Sequence, residues 1–274
     1  MILINGKKTD QISARDRGLH YGDGLFETIA VIEGEAVFWE RHLQRLEKGC
    51  QRLSLPFPDP ALLQREAQSL VKNETRAVLK LIISRGEGGR GYAYPEPTRP
   101  TRLLMRYLWP DYPIQNWRQG VQVRFCDTRL ARQPQLAGLK HLNRLEQVLA
   151  RNEWRDVNIA EGLMCDENGN VIEGTLSNLF MLHNGVLHTP DLSQCGVAGI
   201  MRERILELAH RQGIRIEIDN ITKAQLLAAD EVFLSNSLIG LWPVNSLQGR
   251  DFKIGNITRS LQTLINQDYP LIHV

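Results

Sequence analysis

Long apolar runs are missing from this chain of 274 residues. None approaches the roughly 20 residues that a membrane-crossing helix needs, so no membrane span is expected. Charge of one sign is missing too: 33 Lys and Arg stand against 31 Asp and Glu, a formal net charge of +2. That balance excludes the bulk basic footprint of a nucleic-acid or membrane-surface binder. Basic residues do gather between Arg124 and Arg132, but acidic and apolar residues interrupt them, as on a solvated face. Cysteine is sparse. Cys50, Cys126, Cys165 and Cys195 lie far apart with no CxxC pair, which argues against a zinc site or a disulfide framework. A reducing, cytoplasmic setting fits that usage. The histidines show no HExxH spacing, so no metal is expected. The N-terminus turns polar after Ile4, unlike a signal peptide.

What is present is the composition of a globular protein, 42% apolar and 23% charged, long enough for one large or two modest domains. Ile2–Ile4 before Asn5-Gly6 reads as a strand entering a hairpin, and Thr28–Ile32 with Ala36–Trp39 reads as another around Glu33-Gly34-Glu35. Leu43, Leu46, Cys50 and Leu53 share one face of a helix over Glu40–Leu53. Ala61–Lys72 reads as a second amphipathic helix, and Ala77–Ser84 and Thr101–Leu108 as strands. The stretch Trp109–Pro113 is the expected linker, dividing an α+β domain 1–113 from a larger domain 114–274. Beyond it the pattern predicts a strand over Val121–Asp127 and a helix over His141–Trp154. Hairpins follow around Asp166–Gly169 and Asn184-Gly185. A helix over Ile200–Arg211 has Gly213 as its stop. A helix near Thr222–Ala229 lies among strands at Ile214–Ile218, Glu231–Leu234 and Leu241–Val244. Abundant hairpins imply an α+β fold with mixed, mostly antiparallel sheets.

Lys140 stands out. Ala137-Gly138-Leu139 is an unusually apolar approach for a lysine, and a partly desolvated lysine amine is available as a nucleophile or base, the chemistry of a Schiff-base lysine. Taken alone, a lysine before a helix is ordinarily a solvated end residue. Glu173, followed by Gly174, could hold a ring nitrogen protonated. Gly196-Val197-Ala198-Gly199-Ile200-Met201 opens a helix, and free backbone N–H groups with the helix dipole make a phosphate seat. Ser235-Asn236-Ser237-Leu238 after an apolar strand could complete a phosphate cup. Arg45 is a possible cationic partner.

Gly86-Glu87-Gly88-Gly89-Arg90-Gly91 satisfies GxGxxG, but Tyr92-Ala93-Tyr94-Pro95-Glu96-Pro97 follows, and its prolines exclude the helix that a dinucleotide site needs. The loop reads either as a mobile hairpin connection or as a lid in which Arg85 and Arg90 grip a carboxylate.

Together these segments resemble the fold-type-IV pyridoxal-phosphate enzymes, which include branched-chain and D-amino-acid aminotransferases and 4-amino-4-deoxychorismate lyases. The resemblance runs from about Asp16 to Val244, through Asp16-Arg17-Gly18, Tyr21-Gly22-Asp23-Gly24-Leu25-Phe26-Glu27, His42-Leu43-Gln44-Arg45-Leu46, Lys140, Glu173-Gly174 with Ser177-Asn178-Leu179, and Gly199-Ile200. Ser84–Tyr92 and Leu136–Leu149 look like segments of the lyases. The resemblance implies a two-domain fold, a homodimer, and an active site between the domains that takes pyridoxal 5'-phosphate. It implies that Lys140 joins the cofactor, that Glu173 pairs with its ring nitrogen and that Val197 packs against the ring. Arg45, the amides of Ile200 and Met201, and Ser237 with Leu238 would bind its phosphate, with Gly199 and Asn178 beside them. Phe26 stands where D-amino-acid aminotransferases carry a substrate-binding tyrosine, which lowers that reading. The implied reaction splits 4-amino-4-deoxychorismate into 4-aminobenzoate and pyruvate. A transaminase on the same fold is the nearer rival, and a non-catalytic nucleotide-binding protein the remote one.

Overall fold

The computed structural model describes residues 1–270 and divides into two compact units. One comprises Met1–Pro110 with Leu139–Asn143, the other Asp111–Gly138 with the chain from Arg144 onward.

The first unit is built from β1 (Ile2–Ile4), β2 (Lys7–Lys8), α1 (Arg17–Tyr21), β3 (Gly24–Ile32), β4 (Glu35–Ala36), α2 (Trp39–Arg52), α3 (Pro60–Val71), β5 (Arg76–Ser84) and β6 (Thr101–Leu108). Its strands form one six-stranded antiparallel sheet in the order β2-β1-β6-β5-β3-β4. The Asn5-Gly6 and Glu33-Gly34 turns place both central residues at positive φ, the primed geometry whose twist matches the strands it joins. Helix α2 buries His42, Leu43, Leu46, Gly49 and Cys50 and packs on β3. Asp59 caps α3, accepting from the Ala61 amide at 2.9 Å, with Pro60 at the first helical position.

The second unit holds α4 (Gln115–Arg118), β7 (Val121–Leu130), α5 (Leu145–Arg151), β8 (Ile159–Asp166), β9 (Asn170–Gly174), β10 (Asn178–His183), β11 (Val186–Pro190), α6 (Ile200–Arg211), β12 (Arg215–Asp219), β13 (Ile221–Thr222), α7 (Lys223–Leu227), β14 (Glu231–Asn236), β15 (Gly240–Leu247), β16 (Arg250–Asp251) and α8 (Asn256–Asp268). The ten-stranded sheet is mixed, with parallel pairs β11–β12, β15–β7 and β7–β8. A bridge from Glu173 on β9 to Asn178 on β10 closes β10-β14-β15-β7-β8-β9 into a ring, which leaves those strands no open edge. Val123, Phe125, Leu163, Val171, Leu179, Leu234 and Val244 belong to one buried apolar cluster.

Several elements differ from the sequence pattern, the short helices α1 and α4 among them. Ala36–Trp39 is not a full strand: β4 stops at Ala36 and α2 begins at Trp39. The helix expected over His141–Trp154 spans only Leu145–Arg151. Its first residues are extended instead, because the Phe26 amide donates to the Lys140 carbonyl at 2.9 Å and the Leu142 amide to the Gly24 carbonyl at 3.0 Å. Strand pairing satisfies those backbone groups before a helix can. Helix α8 had no counterpart in the sequence reading. Half of its buried face is polar, Thr258 and Gln262 beside Leu261 and Ile265, which dilutes the apolar period.

Candidate active site

In the first unit, strand alternation sends Leu25 and Glu27 inward and leaves Phe26 half-buried on the other face. Glu27, 1% exposed, is therefore a carboxylate in a buried strand phase, and such a group requires partners. Helix α2 supplies them one turn apart. Nε of Arg45 donates to Glu27 Oε1 at 2.8 Å, Nη2 of Arg45 closes the fork on Oε2, and Nδ1 of His42 lies 2.7 Å from Oε2. Burial raises the Glu27 carboxyl, but Arg45 and His42 outweigh it and hold it at about 2. Burial, with Arg45 and Lys140 adding to it, keeps the His42 imidazole below its ordinary value against the pull of Glu27. A neutral His42 that donates from Nδ1 leaves Nε2 as an acceptor, buried and without a hydrogen-bond partner among the described residues.

Lys140 is delivered by the short extended segment beside β3. Its Nζ sits 4.4 Å from the centre of the Phe26 ring, and Nζ of Lys80 on β5 lies 5.3 Å from the same ring. Phe26 thus collects two ammonium groups, a contact that favours cations over the ring face. Lys80 stands in no motif of the sequence. Its signal would have been register, since Thr28 pairs with Lys80 and Phe26 with Ile82 across β3 and β5.

The glycine loop opens no helix, as expected from its prolines. Arg85 is corrected as a substrate-gripping residue. It is 1% exposed, and its nitrogens bond Asp23 Oδ2 at 2.8 Å and the carbonyls of Ser54 and Leu53 at 2.9 and 2.7 Å. Its guanidinium also lies 3.7 Å from the Tyr94 ring centre. Arg17 shares Asp23 and ties down Gly91 and Tyr92 through their carbonyls at 3.0 and 3.3 Å. These arginines strap the loop to the unit, while Arg90 stays exposed on it.

In the second unit, Glu173, Asn178 and Ser235 form one cross-strand row on β9, β10 and β14. Cross-strand partners face the same side, so the three side chains share a face of the sheet. Glu173 Oε2 accepts from the Val197 amide at 2.8 Å and Asn178 Nδ2 donates to the Val197 carbonyl at 2.8 Å. The row therefore clamps the segment that leads into α6. Gly138 runs parallel to it: its amide donates to Gly196 at 2.9 Å, and the Ala198 amide donates to the Gly138 carbonyl at 3.1 Å. Helix α6 starts at Ile200 behind Gly199 with no side-chain cap, and its first internal bond is from the Glu203 amide to the Gly199 carbonyl at 3.0 Å, so the amides of Ile200, Met201 and Arg202 have no acceptor within the helix. A Cβ on Gly199 would collide with Asn178 Oδ1.

A phosphorylated ring compound fits these features. The uncapped α6 start suits an anion, Glu173 is a buried carboxylate, and the Ser235 hydroxyl is fully buried with no hydrogen-bond partner among the described residues. Beside Ser235, the amides of Leu238 and Ile239 donate to Asn236 Oδ1 at 2.8 and 2.9 Å, which shapes the turn bearing Ser237. Ser235 belongs to the segment expected to complete a phosphate cup, whereas no role was expected of Glu27. The signal at Ser235 is a hydroxyl directly after the apolar Val232-Phe233-Leu234 run of β14.

Residues 24–247 match the amino-transferase class IV family. The chain belongs to that family. Among class IV relatives, the aminodeoxychorismate lyase of Vibrio harveyi is 37% identical over 270 residues, which cover 97% of this chain and 100% of the relative. The crystal structure of 4-amino-4-deoxychorismate lyase from Pseudomonas aeruginosa superposes with a TM-score of 0.95 at 49% identity, covering 98% of this chain and 99% of that one. The branched-chain amino acid aminotransferase from Escherichia coli is more distant within the class IV fold, with a TM-score of 0.84 and 26% identity over 96% of this chain and 91% of that one.

Proposed function

We propose that this chain is a pyridoxal-phosphate-dependent aminodeoxychorismate lyase. The observation that carries the reading is its near-full-length likeness to two proteins of that name, at 37% and 49% identity. The substrate would be 4-amino-4-deoxychorismate and the products 4-aminobenzoate and pyruvate. Every atom of the substrate appears in the two products, so the reaction needs no oxidant and no keto-acid acceptor. A proton leaves the carbon bearing the amine, the bond from ring carbon to enolpyruvyl oxygen breaks, and a proton is added to the methylene carbon of the departing group.

Pyridoxal phosphate, when bound, supplies an electron sink conjugated to the substrate's amine carbon. Lys140 would hold the cofactor through its amine and, once released from it, take the proton from that carbon. Glu173 would pair with the ring nitrogen, and Val197 would pack against the ring with Asn178 fixing its peptide. Gly199 with the Ile200 and Met201 amides, Arg45, Ser237 and Leu238 would seat the phosphate. The buried Ser235 hydroxyl supports the same face of the sheet as the cofactor side. Lys80, a second ammonium at the Phe26 ring, and the exposed Arg90 are the groups suited to a substrate carboxylate. The family resemblance further supports a homodimer, and four buried free cysteines suit a reducing, cytoplasmic setting.

Purified protein should be yellow, and borohydride should fix the cofactor to Lys140. Release of 4-aminobenzoate from aminodeoxychorismate should be lost in Lys140→Ala, and KM should rise about tenfold in Lys80→Ala, the scale of one charged hydrogen bond. Transamination of branched-chain or D-amino acids at a rate above 4-aminobenzoate release would replace the lyase by the transaminase reading.

A further inference from the structure

Glu161, the third residue of β8, is a carboxylate only 4% exposed, and among the described residues no cation partners it. Five donors converge on it instead. Oε1 accepts from the Gly162 amide at 2.9 Å, the Thr175 amide at 3.1 Å and the Thr175 hydroxyl at 2.5 Å. Oε2 accepts from the Leu176 amide and the Ser177 hydroxyl, each at 3.0 Å. Four of these donors belong to Thr175–Ser177, the connection between β9, which carries Glu173, and β10, which begins at Asn178. The fit is tight, because a Cβ on Gly174 would meet Glu161 Cγ and Cδ at 2.9 Å. The connection is also closed on itself, the Gly174 amide donating to the Ser177 carbonyl at 2.7 Å.

We propose that Glu161 is the positioning residue for Glu173 and Asn178: its carboxylate sets the path of Thr175–Ser177 and thereby the two side chains that grip Val197. The proposal rests on the reading that Glu173 faces the ring nitrogen of bound pyridoxal phosphate. An ionised carboxylate is the only side chain of this length that offers acceptors alone on both terminal atoms. Glutamine keeps the shape but turns an N–H toward the Leu176 amide, which cannot reverse its polarity. The Ser177 hydroxyl can rotate, so Leu176 is where the clamp fails.

The test is Glu161→Gln in the full chain, read by titrating the apo form with pyridoxal phosphate and by the visible absorption band of the bound cofactor. Affinity is expected to fall about tenfold or more, the effect of a lost charge-assisted hydrogen bond. The absorption band is expected to shift, and the Leu176 amide to exchange faster. A role confined to fold stability would lower Tm and leave affinity and absorption at wild-type values; that result overturns the proposal. Should Glu161→Gln fail to fold, Thr175→Val with Ser177→Ala keeps the charge and removes two donors. That variant must then shift the band from its wild-type position, and an unshifted band overturns the proposal equally. Wild-type protein that takes up no pyridoxal phosphate overturns the cofactor reading, and this role with it, whereas uptake by the wild type with unchanged behaviour in both variants overturns this role alone.

Discussion

Glu27 gathers His42 and Arg45 into a cluster that solvent barely reaches, and acid should dismantle it in two stages. Both His42 and Glu27 titrate below their ordinary values, so the unfolded chain binds their protons first and stability rises with pH up to the unfolded value. Tm is expected to be flat above about pH 6.5, to decline as His42 begins to be protonated in the unfolded chain, and to fall faster below about 4.5. The Glu27 contribution, about 3 kcal/mol for a carboxyl moved from 4.5 to about 2, is exhausted near pH 2. Calorimetry from pH 3 to 7 checks this, and Glu27→Gln should flatten the limb below 4.5. An unchanged limb in that variant would assign acid unfolding elsewhere. Glu27 was legible in principle, as a charge in the same strand phase as Leu25. Arg85 was misread for the opposite reason: nothing in the sequence says that Asp23 and two loop carbonyls claim its guanidinium.

Among the elements, α6 begins where the sequence placed it, because Gly199 and the apolar period agree on one boundary. Its glycine is needed for space rather than for torsion, since φ is −71°. Gly199→Ala should therefore cost about 1–3 kcal/mol through overpacking against Asn178. Urea unfolding of the apo protein measures that cost, and adding Asn178→Ala should recover part of it. No recovery would mean that the collision lies elsewhere. Helix α5 shows where local pattern gives out. Leu142, Leu145 and Leu149 keep helical spacing, yet the chain is extended through Leu142 because β3 offers its edge there. A pairing partner more than 100 residues away in sequence, read directly from the Leu25–His141 bridge, is invisible to any local window. By contrast the hairpins at Asn5-Gly6 and Asn184-Gly185 were fully legible, since turn chemistry alone fixes them.

For the whole molecule, the fold class followed from counting hairpins against helices, while the closing of β9 onto β10 did not, since one bridge makes the ring. The assignment of Leu139–Asn143 to the first unit was equally hidden. A fragment comprising residues 1–110 should show it. The Phe26 amide, bonded to the Lys140 carbonyl at 2.9 Å in the intact chain, should exchange slowly there and fast in the fragment. Equal rates would mean that the segment is held by something other than β3.

That borrowed segment also constrains how such a chain can be inherited. A recombination event near Pro110 would pass on the strand that receives Lys140 while leaving the lysine behind with the other parent. A hybrid of two diverged copies would carry a lysine matched to a foreign strand edge. The outer loops can drift independently, but Gly24 is expected to stay matched to Leu142, whose side chain lies where a Cβ would go, and Phe26 to Lys140.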